Sequence, residues 1–276
     1  AMVVLARPGD VVEVSARPEV AADGTRSRTW QRVETGDGIA VTRLEPTGLP
    51  WSWSTTYRLL GDEHGATSPM SSVPDVVMVD GRQPELPVLD VRHLRGRPPA
   101  WQHRVASDAA SSVLTQLGLA PEDTQITALV TAPLPSGGAG GLALITVRVP
   151  SGAVVVTGSW SQRMPDGTLA TMGECGLDVR PAGAPVTERV VAASCEIFDP
   201  DTGNPDGTVL LVSAPPSAAA VRTYAVGGEY LGEHPVRDGH VVLPTERTVV
   251  EVEAVTADGV LLGRSKVLPP GIWLGE

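Results

Sequence analysis

The apolar positions follow two rhythms. Along most of the chain they alternate with polar residues, or form short unbroken runs between Gly, Pro and Asp, as β-strands do. In one stretch they repeat at helical period. Val105, Ala106, Ala109, Ala110, Val113, Leu114 and Leu117 fall at i, i+1, i+4, i+5, i+8, i+9 and i+12. That draws a single stripe on a helix running from about 99 to 117. Gly118 stands where a left-handed C′ residue is wanted, Leu119 follows, and Pro121 bars continuation. The alanines let the stripe lie close on a sheet.

Residues 3–84 read as an all-β module. Strand patterns lie at 11–16, 29–34, 39–44, 54–60 and 75–79, and Asp37-Gly38 is a tight-turn signal. Turns recur about every ten residues, the spacing of a sandwich. Pro84, Pro87, Pro98 and Pro99 then exclude helix from 81–99 and set a domain boundary near 84. After the helix, 126–130 is a strand, and 142–149 turns at Ser151-Gly152 into 153–160. This hairpin is apolar almost without a break, so both of its faces are expected to be covered, one of them by the helix. From 208 to 268 a β rhythm returns, with turns at Gly227-Gly228, Asp238-Gly239 and Asp258-Gly259.

The fold class is thus mainly β, α+β in the middle: β-sandwich modules with one amphipathic helix on a central antiparallel sheet. We divide the chain into 3–84, a β-sandwich; 85–207, an α+β domain; and 208–276, an Ig-like β region or a continuation of the central sheet.

Two residues in the second domain stand apart. Cys175 and Cys195 are the only cysteines among 276 residues, and they bracket a Gly- and Pro-rich segment. We expect one disulfide pinning two neighbouring β-segments; the competing reading is two buried thiols. In the chain-entropy view, closing a loop of about twenty residues stabilises by roughly 3 kcal/mol. No Cys-x-x-Cys is present, which argues against zinc, and no base nearby in sequence argues for a cysteine nucleophile.

Net charge is −11 and the pI is near 4.9. A nucleic-acid binder needs a basic stripe to displace counterions from phosphates, and the densest patch here is Arg92, Arg95, Arg97 and Arg104, a solvated loop. Nucleic acid is excluded as a partner. No apolar run reaches the length of a bilayer span, so these residues do not insert in a membrane. Lys266, Asn204 and Phe198 are each the sole residue of their type, the usage of a GC-rich genome.

Searches for chemistry leave two candidates. Asp199, Asp201, Asn204 and Asp206 supply the hard oxygens that calcium prefers, without the EF-hand pattern, and a plain polar turn is the alternative. Trp51 and Trp53 on a strand would point the same way and form a platform for a sugar ring or a partner, or else pack in the core. His234 and His240 flank a turn but lack further metal ligands. Gly138-Ala-Gly140-Gly-Leu-Ala143 has the letters of a dinucleotide loop, but a strand follows where a helix must. No catalytic residue and no other cofactor is assigned.

Thr56 to Leu60, followed by Gly65-Ala-Thr-Ser-Pro69, resembles the last strands of fibronectin type III modules, with Trp30 where that family keeps a core tryptophan. The resemblance implies a sandwich that acts as spacer or binding unit. The succession of helix, cysteines and β tail resembles, in organisation, the extracytoplasmic part of actinobacterial membrane-anchored proteins. Together these give a non-enzymatic, extracytoplasmic binding or structural protein, with a protein or glycan of the cell surface as partner and an anchor outside this sequence. If Met2 is the native start, the protein is cytoplasmic instead. The alternatives are a hydrolase-type enzyme whose residues converge only in three dimensions, and a phage tail-like structural protein.

Overall fold

The structure, a computed structural model, describes residues 2–7, 9–43, 55–61, 65–67, 90–91, 100–135, 139–163, 169–183, 185–198, 204–246 and 248–270. It is mainly β, with one α-helix among the described residues.

The first strands are β1 (Met2–Leu5), β2 (Val11–Ser15), β3 (Pro18–Val20), β4 (Arg26–Arg28), β5 (Gln31–Val33), β6 (Thr35–Gly36), β7 (Ile39–Thr42), β8 (Thr56–Gly61) and β9 (Gly65–Thr67). They make two small sheets, ordered β1-β7-β6 and β5-β2-β8-β9, and a hairpin of β3 with β4. Val4 and Ala40 from one sheet meet Val12 and Val14 from the other in a single core cluster, with Tyr57 and Leu59 packed against it. Asp37-Gly38 joins β6 to β7 with both residues at positive φ (49° and 78°), as the turn signal requires. Trp30 stands outside this cluster. The Arg58 guanidinium lies 4.4 Å from its ring centroid and also pairs with Glu13.

A second group follows: β10 (Asp90–Val91), α1 (Ala100–Leu117), β11 (Gln125–Ala132), β12 (Ala139–Arg148), β13 (Val154–Arg163) and β14 (Leu169–Arg180). The strands form one sheet in sequence order, antiparallel except for β10 with β11. All seven stripe residues of α1 are buried in one cluster with Ala143, Ile145, Val147, Ala153 and Val155. Each fully buried leucine there, such as Leu114, stabilises by roughly 1.5–3 kcal/mol. The helix ends as the glycine predicts. Gly118 has φ 60°, its N–H donates to the Thr115 carbonyl, and Leu119 N–H donates to Leu114 at 3.0 Å.

The last group is β15 (Val191–Phe198), β16 (Pro205–Ser213), β17 (Ala220–Tyr224), β18 (Tyr230–Pro235), β19 (His240–Thr245), β20 (Glu251–Val255) and β21 (Leu261–Leu268). Their order is β18-β17-β20-β21-β15-β16-β19, a nearly closed seven-stranded sheet. Period-two alternation explains how it is covered. Val191, Ala193, Cys195, Ile197, Val209 and Leu211 pack against Leu142, Leu144, Val156 and Trp160 of the five-stranded sheet. Ala192, Leu210 and Val212 point the other way, onto Val221, Val252 and Ala254, so the sheet curls over its own second face. Both faces of the β12–β13 hairpin are therefore buried, one under α1 and one under β15 and β16.

The outermost strands of the seven-stranded sheet each hold a proline, Pro235 in β18 and Pro244 in β19. Proline lacks the N–H that an added strand would use. The proposed division at 207/208 falls inside β16, so the regions 85–207 and 208–276 share one sheet. The first group also touches the second. Val20 packs on the helix cluster, Arg17 Nη1 donates to the Gly118 carbonyl at 3.2 Å, and Ala182 N–H donates to Ala22 at 2.7 Å.

Candidate functional site

Cys175 in β14 and Cys195 in β15 are at disulfide distance, S–S 2.06 Å and Cα–Cα 4.1 Å. Both are fully buried, and they connect two sheets rather than neighbours within one. The local sequence provides for this approach. A Cβ on Gly158 in β13 would stand 2.8 Å from the Cβ of Cys175 and 3.1 Å from that of Ala193. Trp160 fills the space beside the bond, with its ring centroid 6.4 Å from that of Phe198. Bonded and buried, the pair presents no exposed thiol.

A polar seam runs between α1 and the edge of the five-stranded sheet. Asp108, Ser112 and Gln116 recur every four residues and therefore share one helix face. Ser161 Oγ donates to Asp108 Oδ2 at 3.1 Å, with both residues buried. Glu174, adjacent to Cys175, accepts from Ser112 Oγ and from Gln116 Nε2 (2.8 Å) through Oε1, while its Oε2 is buried without a hydrogen-bond partner. Burial pushes the Glu174 carboxyl above the ordinary glutamate range, and the hydrogen bonds from Ser112 and Gln116 pull it partly back. Ser161 thus donates directly to a carboxylate rather than to an imidazole.

The candidates read from the sequence fare unequally. Trp51, Trp53, Asp199 and Asp201 lie outside the described residues. Asn204 and Asp206 are exposed, Asp206 at the start of β16. Among the described residues no three His, Cys, Asp or Glu side chains are grouped to hold a metal. His234 and His240 are not brought together by register: Arg237 pairs with His240, and His234 pairs with Val221. Within the glycine-rich run, the two described glycines have a packing role. Gly140 and Gly141 lie within β12, where a Cβ would fall 2.2 Å from the Ser161 carbonyl and 2.6 Å from that of Ala132.

Two surfaces stand out among the described residues. Tyr224 and Tyr230 meet edge to face at 5.8 Å on the outer side of the seven-stranded sheet. Beside them Glu233, Arg222, Glu253 and Arg264 alternate in register across β18, β17, β20 and β21. Arg222 bonds Glu233, Arg264 bonds Glu253 and Tyr224 OH donates to Glu253, so this row satisfies itself. The second surface is apolar. Val3 (61 % exposed), Leu5 (74 %), Ile39 (47 %) and Val41 (60 %) occupy one face of the β1–β7 pair. Register places Val3 opposite Val41 and Leu5 opposite Ile39. The other face, with Val4 and Ala40, is core. The sequence carried a signal for this: positions 3, 4 and 5 are all aliphatic, as are 39 to 41, so neither parity is polar.

Compared with known proteins, the chain matches no family model, no curated protein and no solved structure. No helix among the described residues is long and apolar enough to cross a membrane.

Proposed function

We propose that the chain is the extracytoplasmic part of an actinobacterial cell-surface protein, a non-enzymatic β-scaffold that binds a protein or glycan. The cysteine pair is the observation that supports this most. It is isolated, buried between two sheets and at bonding distance. Disulfides of this structural kind persist in oxidising compartments and are rare in the cytosol. The N-terminal group, two small sheets on one core, is read as the fibronectin type III-like or Ig-like sandwich, with the β8–β9 segment as its family-like end. Trp51 and Trp53 remain the proposed glycan platform, and Asp199, Asp201, Asn204 and Asp206 the proposed calcium turn.

The test uses cells of the native host. Protease added to intact cells should degrade the protein, and unreduced peptide mapping should recover Cys175 and Cys195 linked. Recovery from the cytosolic fraction with two free thiols would falsify the reading.

A further inference from the structure

We infer that the seam between α1 and the five-stranded sheet is a binding site for one buried water, held between Ser159 of β13 and Glu174 of β14. The inference adds a ligand to the seam and depends neither on the compartment nor on a surface partner.

Two polar atoms carry it. Ser159 is 1 % exposed, and its Oγ has no hydrogen-bond partner among the described residues. Glu174 Oε2 is likewise buried and unpartnered. Register places the two residues directly opposite each other across the β13–β14 pair. Both face the helix. Ser159 is two residues from Ser161, which donates to Asp108 of α1. Glu174 accepts from Ser112 and Gln116 of α1. Two oxygens thus share one face, under one helix, without bonding each other. A buried polar atom left unmet bears the full cost of its desolvation, and native folds meet nearly all such atoms with protein groups or ordered water.

The backbone shows how this face arises. Thr157 pairs with Leu177 and Ser159 with Glu174, so Cys175 and Gly176 together stand opposite Gly158. Gly176 has φ 113°. This bulge breaks the alternation of β14. Cys175 points to the other sheet, while Leu177, two residues on, packs under the helix. The hydroxyl of Thr157 is committed to the bulge, where it donates to the Gly176 carbonyl at 3.0 Å. On the other side of Ser159, register sets only the methyl of Ala143.

Water suits these groups better than an ion does. A metal ion needs several oxygens at once, and Glu174 Oε1 is already taken by Ser112 and Gln116. Water needs about two to four polar partners. Ser159 Oγ can donate or accept, and Ser161 Oγ keeps lone pairs beyond the hydrogen it gives Asp108. Burial raises the Glu174 carboxyl. Water donates to Oε2 when that carboxyl is ionised and accepts from it when protonated, so it serves both states. The chain Gln116, Ser112, Glu174, water and Ser159 then ties α1 to two strands.

The test is a crystal structure of the full chain, with oxygen-17 relaxation dispersion in solution. One peak should lie about 2.6–3.0 Å from both Ser159 Oγ and Glu174 Oε2. Ser159→Val, which replaces the hydroxyl with methyls, should lower the number of long-lived waters by about one. The parent should melt at the same temperature in sodium, potassium and choline chloride at equal concentration. No peak, or a direct hydrogen bond between Ser159 and Glu174, overturns the inference. A peak ringed by roughly six oxygens at about 2.3–2.6 Å marks an ion instead and overturns it too. So does melting that rises in sodium or potassium alone, or an unchanged water count in folded Ser159→Val. The crystal structure needs no variant, so it decides even where Ser159→Val fails to fold.

Discussion

Gly158 lies directly beneath Cys175: a Cβ at position 158 would come within 2.8 Å of the Cβ of Cys175. Real Cβ atoms do not approach so closely, and the cysteine cannot retreat while bonded to β15. Gly158→Ala should therefore destabilise the fold by about 1–3 kcal/mol through overpacking. Gly36→Ala is the control, since a Cβ there meets nothing within 4 Å. Thermal melts of both variants decide it. Equal melting temperatures would mean the two sheets can move apart at the bond.

Thiol counting on unreduced, denatured protein should find no free thiol. Replacing Cys175 and Cys195 together by alanine should cost roughly 3 kcal/mol, the loop-closure value for about twenty residues. A denaturant titration measures the loss. An unchanged midpoint would mean the clustered side chains alone hold the sheets.

The Glu174 carboxyl is raised in the fold by burial. The unfolded chain therefore gives up this proton at lower pH than the folded one. Stability from the group is complete below the unfolded value and is lost as pH rises through the folded value. Glu174→Gln keeps an oxygen to accept from Ser112 and Gln116 and removes the charge. It should melt above the parent at pH 7, and the difference should shrink toward pH 4. A difference constant with pH would show that Glu174 keeps an ordinary value.

Leu114 is wholly buried between α1 and the β12–β13 hairpin. Leu114→Asp places an unpaired charge there and should cost several kcal/mol. For a chain of this size that lowers the melting temperature by about 10 °C or more. A soluble variant melting within a degree of the parent would mean that the stripe does not support the fold.

The helix was legible because its signal is local. Seven positions at period 3.6, a glycine and a proline fix it, and the structure buries those seven residues. The pairing of β12 with β13 was legible for the same reason, through Ser151-Gly152. Sheet membership was not. Pro181, Gly183 and Pro185 suit a hairpin loop and a crossing to another sheet equally, so Cys175 and Cys195 could be paired but not assigned to separate sheets. The burial of Glu174 was hidden because it depends on Ser112 and Gln116, 62 and 58 residues away. Val3, Val4 and Leu5 are all aliphatic, a run that does not itself say which face is covered. That is decided by the whole fold, and among the described residues Val4 is core while Val3 and Leu5 stay exposed.

The link between Cys175 and Cys195 also changes how the chain answers to tension. The 20 residues it spans carry no load when the protein is pulled from its ends, because force passes across the sulfurs. At the extended length of about 3.5 Å per residue, some 70 Å of contour stays locked until the bond is reduced. A tethered molecule of this design yields a shorter final length, and reduction appears as a discrete added step in a force–extension trace.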